Sequence, residues 1–479
     1  MSETATALDV DIPLAERLTT IAGGLSADGV YDPNPDGERH FRIGAPFVLE
    51  ADQVAFLERL GDRLLAFNAA LGALYRKASK GKAPAFVADW LDQGKPDEVV
   101  RLGAMNRFRN DLPRVIRPDL LLTDDGWKIT ELDSVPGGMG LTDSLQRHYA
   151  AAGFHVLGGA DGMVDGMAAA LNDTVEGGAP LVAIVVSEES AAYRPEMRHL
   201  AARLRDAGTE AHVVAPEAVV FAEEGLFITP DGDRCARRVD VVYRFFELFD
   251  LPNIPKAELL LYAAKKGRVA MTPPPRPQLE EKLGAALFHH PALAPFWRAE
   301  LGEEAQRELA ALLPRTWVLD PAPVPPYAVI PDLNVDGVPV QGWQALKGLG
   351  QKARQFVIKP SGFSEQAWGS RGVVIGHDQP EAGWDQALDA ALAAFGRTPH
   401  ILQPFHKAVT QQTRILGDEG GIRAVRTRSR LCPYYFVAGG KARLGGVLAT
   451  PCPADKKKLH GMKDASMIPC VGPSRGAID

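Results

Sequence analysis

The sequence predicts an α+β protein built from several lobes, and three patterns carry that prediction. Apolar residues recur at helical spacing from Ala51 to about residue 105. Two short β-segments flank Asp124-Asp125-Gly126. Between residues 181 and 250, strand-like and helix-like stretches alternate. The 479 residues suggest roughly three domains at about 150 residues each. A hydrophobic content of 46% against 24% charged residues leaves ample apolar mass for a core and excludes a mainly disordered chain. The net charge of −7 weighs against a nucleic-acid coat protein. Cys235, Cys432, Cys452 and Cys470 form no CxxC pair, which argues against a zinc framework.

Taken in order, residues 1–40 are expected to be loose, with Ser26 to Gly37 rich in turn formers. Met1 to Asp11 lacks the basic start and apolar run of a signal peptide. No apolar stretch approaches the ~18 residues of a membrane span, so a cytoplasmic protein with no membrane partner is expected. Val54, Phe56, Leu57, Leu60, Leu64, Leu65 and Phe67 mark a helical lobe running to about residue 105. In the α/β unit, Leu181 to Val186, His212 to Val214 and Val239 to Arg244 read as strands. Pro195 to Ala207 reads as a helix closed by Gly208, and the sheet as partly parallel. The run 272–277, Thr-Pro-Pro-Pro-Arg-Pro, cannot continue a helix or sit inside a sheet, and reads as a boundary. Helices are expected through about Leu313, then strands at Phe356–Lys359, Val373–Ile375 and Ile401–Leu402. Residues 401–479 carry 13 Lys+Arg against 5 Asp+Glu, a basic tail on an acidic chain.

Two segments carry chemistry. Residues 124–126 are read as a three-residue hairpin loop with Gly126 left-handed, so position i pairs with 250 − i. Asp119 then lies opposite Glu131, and Arg117 opposite Asp133, all on one face. A two-residue loop would slip the register and split Asp119 from Glu131. Three carboxylates on one face call for a cation, and hard oxygen ligands at this density suit Mg²⁺ together with phosphate oxygens. Arg117 could contact a transferring phosphoryl group. A solvated hairpin with ordinary surface charges fits the same residues. The second segment is Phe356-Val-Ile-Lys359, a strand running into a loop with Gly362, Gly369 and Gly372, Ser361 and Ser370, and Arg371. Glycines there let backbone N–H groups approach phosphate oxygens. A bare lysine at a strand end is more often an edge guard than a ligand.

Glu131-Leu-Asp133 followed by Pro136-Gly-Gly-Met-Gly-Leu-Thr142 and Ser144-Leu145, with Arg117-Pro-Asp119 upstream, resembles the end of an ATP-grasp domain. In the D-alanine–D-alanine ligase branch a Glu-x-Asn pair occupies this place. Here the Asn is Asp133, which can still ligate a metal but adds negative charge. Lys359 and its loop resemble the ATP-grasp phosphate lysine and glycine-rich flap. Ile401-Leu-Gln403-Pro-Phe405 stands where that family has the adenine hinge, and Lys282 where it has a second ATP-contacting lysine; on spacing alone, Lys282 is an ordinary surface lysine. The carboxylates precede Lys359, the reverse of the usual order. That order resembles the circularly permuted ATP-grasp group, above all glutathionylspermidine synthase-like ligases, without their amidase domain.

The resemblance implies an ATP-grasp fold with circularly permuted order, plus a Rossmann-like α/β pre-ATP-grasp unit and an N-terminal helical region. The boundaries expected are 1–104 for the helical region and 105–175 for the metal-binding part. The α/β unit would occupy 176–270, and the lobes with the phosphate lysine 271–479. It implies an ADP-forming ligase that joins a small-molecule carboxylate to an amine through an acyl phosphate, using ATP and Mg²⁺, with Mn²⁺ as a substitute. Asp119, Glu131 and Asp133 would hold the metal. Lys359 and Arg117 would act on the transferring phosphoryl group. Lys282, Lys359, Ser361, Gly362, Gly369, Ser370, Gly372 and Gln403 would bind nucleotide. Two other readings stand beside it: an ATP-dependent small-molecule kinase or ATPase, and a non-catalytic nucleotide-binding scaffold. Arg423, Arg426, Arg428 and Arg430 would share one face if their segment is a strand, serving an acidic ligand or a solvated edge. The cysteines near the tail read as small buried fillers.

Overall fold

In the computed structural model, residues 8–31, 41–230, 232–367, 369, 371–460 and 464–473 are described. The chain opens on a helix, α1 (Leu8–Ala27), where loose chain was expected. Leu14, Leu18, Ile21 and Leu25 form one buried stripe at alternating four- and three-residue steps. Gly24 lets the ring of His148 approach, since a Cβ there would lie 2.3 Å from it. After the short strand β1 (Phe47–Val48), the expected helical lobe appears as α2 (Ala51–Ala78), α3 (Phe86–Asp92) and α4 (Asp97–Gly103). A capping box starts α2, with the Glu50 N–H donating to the Gln53 side chain at 3.0 Å.

The hairpin follows as β2 (Val115–Thr123) and β3 (Gly126–Asp133). Arg117 pairs with Asp133 and Asp119 with Glu131, as expected. The route to that register differs. Thr123 pairs with Gly126, so the loop is the two residues Asp124-Asp125, and Leu120, Leu121 and Leu122 each pair one residue short. A bulge between Asp119 and Leu120 leaves Thr130 unpaired and restores the register. Gly126 is left-handed, at φ 87°.

Helices α5 (Met139–Ala151) and α6 (Gly162–Asn172) lead into the α/β unit. There β4 (Val182–Val186), α7 (Arg194–Asp206), β5 (Ala211–Val214), β9 (Val241–Phe245), α8 (Ala257–Lys266) and β10 (Ala270–Thr272) build a sheet of order β10-β9-β4-β5. Every pairing in it is parallel. Its inner strand β4 is a run of Val, Ile and Ala, as a sheet covered on both faces requires, while β5 carries His212 and β9 the buried Arg244. A small antiparallel ribbon of β6 (Val220–Ala222), β7 (Gly225–Ile228) and β8 (Arg237–Arg238) is inserted between β5 and β9.

The proline run is not an exposed joint. Thr272, Pro273, Pro274, Pro275, Arg276 and Pro277 are all buried. The guanidinium of Arg244 donates to the carbonyls of Pro273 and Pro274, both at 3.4 Å, supplying partners to a backbone that no strand pairs. Helices α9 (Leu283–His289), α10 (Ala294–Leu301) and α11 (Glu303–Leu312) pack on α2.

Two further sheets carry the two chemical segments. The smaller has the order β11-β16-β14-β15, from β11 (Trp317–Val318), β14 (Phe356–Pro360), β15 (Val374–Ile375) and β16 (His400–Pro404). It is covered by α12 (Glu381–Ala394), and a ribbon of β12 (Asn334–Val335) and β13 (Val338–Pro339) lies beside it. The larger sheet has seven strands in the order β1-β20-β19-β18-β2-β3, with β17 (Thr410–Leu416) also pairing β18. Its C-terminal members are β18 (Ile422–Ala438), β19 (Lys441–Pro453) and β20 (Ile468–Val471). Arg426, Arg428 and Arg430 share one face of β18, but Arg423 lies an odd number of residues away and takes the other. Nor is Arg430 on an edge, because its neighbours are Thr450 of β19 and Leu121 of β2. Among the described residues no helix is long and apolar enough to cross a membrane.

Candidate functional site

The floor of the site is the open end of the hairpin, away from the Asp124-Asp125 loop. Arg117 bridges two carboxylates, its Nε 3.1 Å from Asp119 Oδ1 and its Nη2 3.0 Å from Asp133 Oδ2. Asp119 is 2% exposed. It also accepts from Arg430 at 2.8 Å and from the Cys432 thiol at 3.3 Å. Burial works against its charge, and the guanidiniums of Arg117 and Arg430 more than offset this, so its pKa is lowered. Burial pushes Cys432 up to about 12, so it is a protonated thiol donor and not a nucleophile.

Asp133 behaves oppositely. Burial, reinforced by repulsion from Glu131, raises its pKa even beside Arg117. Glu247, just past the end of β9, is raised well above the usual range by burial and by Glu280 and Asp133. Glu196 on α7 is raised to about 7 by burial. Its oxygens accept from the N–H groups of Gly138 at 2.7 Å and Leu141 at 3.2 Å, at the start of α5. The loop so held presents the Gly137 carbonyl to Arg117 Nη1 at 3.1 Å and to the Tyr434 hydroxyl at 2.8 Å.

The lysines arrive from elsewhere in the chain. Lys359 on β14 donates to the carbonyl of Thr130, the bulged residue beside Glu131, at 3.1 Å. Burial, with Lys282 adding repulsion against the pull of Glu131, depresses its pKa to about 8. Lys282 precedes α9 and lies 2.7 Å from Glu131 Oε1. Burial opposes its charge, yet Glu131 prevails and its pKa is raised. Lys282 is therefore no surface lysine. Its neighbour Glu281 pairs with Lys95 at 2.5 Å, with both side chains at 1% exposure or less; the contact is close but not aligned as a hydrogen bond.

The expected nucleotide-binding residues divide. Ser361 is fully buried; its hydroxyl bonds Glu281 and accepts from the Leu283 N–H at 3.0 Å, so it fastens the loop to α9 and has no free donor. Gly362 and Gly369 line the main cavity. Gly362 and Gly372 are required by packing, since a Cβ would meet Glu280 O at 2.2 Å and Pro360 Cγ at 2.7 Å. Gln403 is buried, donates to Thr316 Oγ1 at 2.9 Å, and lines the smaller chamber described next. Ser370 lies outside the described residues.

These groups surround a cavity of 530 Å³, whose walls include Arg117, Glu131, Asp133, Glu196, Glu247 and Lys282. A smaller chamber of 120 Å³ adjoins it and shares Asp119, Glu131, Lys282 and Arg430. Lys359 stands in the smaller chamber with Val357, Ile375, Gln403 and Phe405. One chamber is thus a slot in which an apolar wall of Val357, Ile375 and Phe405 faces lysines and other polar groups; the other is wide, acidic and aromatic-lined.

Among the described residues no three carboxylate, histidine or cysteine side chains converge as a metal cage. Asp119 accepts from Arg117, Arg430 and Cys432, which leaves it one acceptor position and makes it an anchor for the two arginines. Glu131 and Asp133 remain. They fit a hard cation held by one or two carboxylates, with phosphate oxygens completing its shell. Sequence reasoning weighed Arg430 only as part of a charged face, and missed Glu196, Glu247 and Glu280. The adjacency of Glu280-Glu281 to Lys282 was a readable signal; the place of Glu196 under α5 was not.

No protein-family model matches the chain, and no curated protein does. Among solved structures, a glutathione synthetase-like effector from Globodera pallida matches with a TM-score of 0.57 at 13% identity, covering 96% of this chain and 97% of that one. That likeness is one of fold. A protein proposed to be a gamma-glutamylcysteine synthetase from Methylobacillus flagellatus aligns over 89% of this chain and 90% of its own, at a TM-score of 0.42 and 11% identity.

Proposed function

We propose that the protein is an ATP-dependent carboxylate–amine ligase, with an ATP-grasp fold in permuted order, that releases ADP and phosphate. The observation that carries this reading is the meeting of Lys359 with the carboxylate hairpin at Thr130, across 229 residues of sequence. An ATP site needs cations for the phosphates, carboxylates for a metal and an apolar slot for the base, and these converge here. The whole-chain likeness to a glutathione synthetase-like effector supports the same reading. On it, residues 105–175 and 271–479 form the ATP-grasp part, 176–270 the pre-ATP-grasp-like unit and 1–104 a helical flank.

Adenine would occupy the slot beside Gln403 and Phe405, and the phosphates would run along Lys359, Lys282 and Arg430. Glu131 and Asp133 would hold Mg²⁺ or Mn²⁺, which neutralises phosphate charge when bound. A substrate carboxylate oxygen bonds to the γ-phosphorus and the bond to the β-bridging oxygen breaks, giving ADP and an acyl phosphate. The amine nitrogen then attacks the acyl carbon, and phosphate leaves. Arg117, fixed by Asp119, Asp133 and the Gly137 carbonyl, stabilises charge on the transferred group without reorganising. The wide chamber holds the two organic substrates and shields the acyl phosphate from water.

The test is incubation with Mg-ATP and pooled amino acids, small peptides and polyamines, read by mass spectrometry for nucleotide and product. ADP together with a condensation product, both lost in Glu131→Gln and Lys359→Ala, is the expected result. AMP would overturn the acyl-phosphate route. A phosphorylated product formed without an amine would make the protein a kinase.

A further inference from the structure

A second group of cations lies outside the cavity just described, and nothing above gives it a role. Arg276, within the buried proline run, is 2% exposed. Its Nη1 donates to the Asp111 carbonyl at 2.6 Å. The Gln278 side-chain oxygen, in the orientation that satisfies both groups, accepts from Nε at 3.1 Å and Nη2 at 3.3 Å. All of these acceptors are neutral. Arg76, Lys80 and Arg109 line the same 50 Å³ pocket, with Ser79 and Asn106. Among the described residues none of the four cations has an ion-pair partner. Asp111 is the carboxylate felt by Arg276, but it does not come within ion-pair distance. Burial, and then the nearness of Arg76, push Arg276 down to about 10.

Buried charges in proteins are normally paired, because leaving water without a counter-charge is costly. The chain does not lack acids, with 60 Asp+Glu against 53 Lys+Arg. Arg276 is nonetheless buried with no carboxylate partner, and the half-buried Arg76 and the exposed Lys80 and Arg109 bring three more cations to the same pocket. The pocket has more room than one water needs. It is far smaller than the several hundred Å³ typical of a drug-sized ligand site. The two Arg276 N–H groups not taken by Asp111 and Gln278, backed by lysine and arginine, match a compact tetrahedral oxyanion. We infer that the pocket between α2 and the 273–278 segment is a binding site for a small oxyanion of the phosphate class. The site does not depend on the ligase reading.

Inorganic phosphate titrated into the full chain in phosphate-free, low-salt buffer, followed by calorimetry, tests this. Phosphate binding at this pocket should persist in Lys359→Ala, since Lys359 lines the other chamber. Arg76→Gln/Lys80→Gln, two changes on the outer side of α2, should weaken binding by about tenfold or more. Arg276→Lys keeps the charge, loses the fork and should weaken it as well; if that variant does not fold, the surface pair decides alone. Absence of binding at millimolar phosphate would overturn the inference. So would binding that survives Arg76→Gln/Lys80→Gln and disappears in Lys359→Ala, because it would place the phosphate in the nucleotide chamber.

Discussion

Lys359 has the depressed pKa of a buried ammonium, about 8. It is charged below that pH and neutral above it, and a triphosphate favours the charged form. ATP affinity should therefore fall as pH rises through about 8. At pH 8.5, ATP binding should take up protons, seen as a dependence of calorimetric heat on the ionisation enthalpy of the buffer. Lys359→Ala should abolish both effects. Asp119 and Glu131 separate by environment. The Asp119 side chain is 3% exposed and held by two arginines. Asp119→Asn should lower unfolding stability in urea by about 3 kcal/mol, because it leaves buried cations short of a partner. Glu131, at 38% exposure, should cost less than about 1 kcal/mol as Glu131→Gln, yet stop ADP formation.

At the scale of elements, the hairpin's register depends on one bulge. Deletion of Thr130 would close the bulge with Glu131 still opposite Asp119, and would remove the carbonyl to which Lys359 donates. The expected protein keeps its circular dichroism and loses ADP formation. Gly126→Ala should be milder, costing about 1 kcal/mol from its left-handed backbone, since a Cβ there meets nothing within 4 Å. The sequence made the pairing of Asp119 with Glu131 legible through alternation and the Asp-Gly turn, but not the bulge, which a pattern of side chains does not record. The strand β4 of the α/β unit was legible because it is an unbroken run of Val, Ile and Ala, the mark of a buried parallel strand. The stripe of Leu14, Leu18, Ile21 and Leu25 was visible too, but Pro13 and the Gly23-Gly24 pair hid the helix that packing on α5 makes stable. Arg430 was visible as one of several alternating arginines. Its role depends on β18 lying against β2, and no local signal announces that pairing.

Across the molecule, the N-terminal helices are joined to the site through Lys95. Its ammonium follows α3 and meets Glu281, whose other oxygen bonds Ser361, while the Ser361 carbonyl accepts from the Lys282 N–H at 3.0 Å. Lys95→Met strands a buried carboxylate and should destabilise by about 3–5 kcal/mol. The double variant Lys95→Met/Glu281→Gln should recover much of that loss in the same urea titration. The larger sheet has its own implication for how this protein is made. Asp119 and Arg430 are 311 residues apart, and β2 has β18 as its inner neighbour. A ribosome adding about 5–20 residues per second needs roughly 15–60 s to cover that interval. Throughout that time the nascent hairpin shows an unpaired edge and an acidic face to the cell, so its emergence is where a chaperone has most to protect.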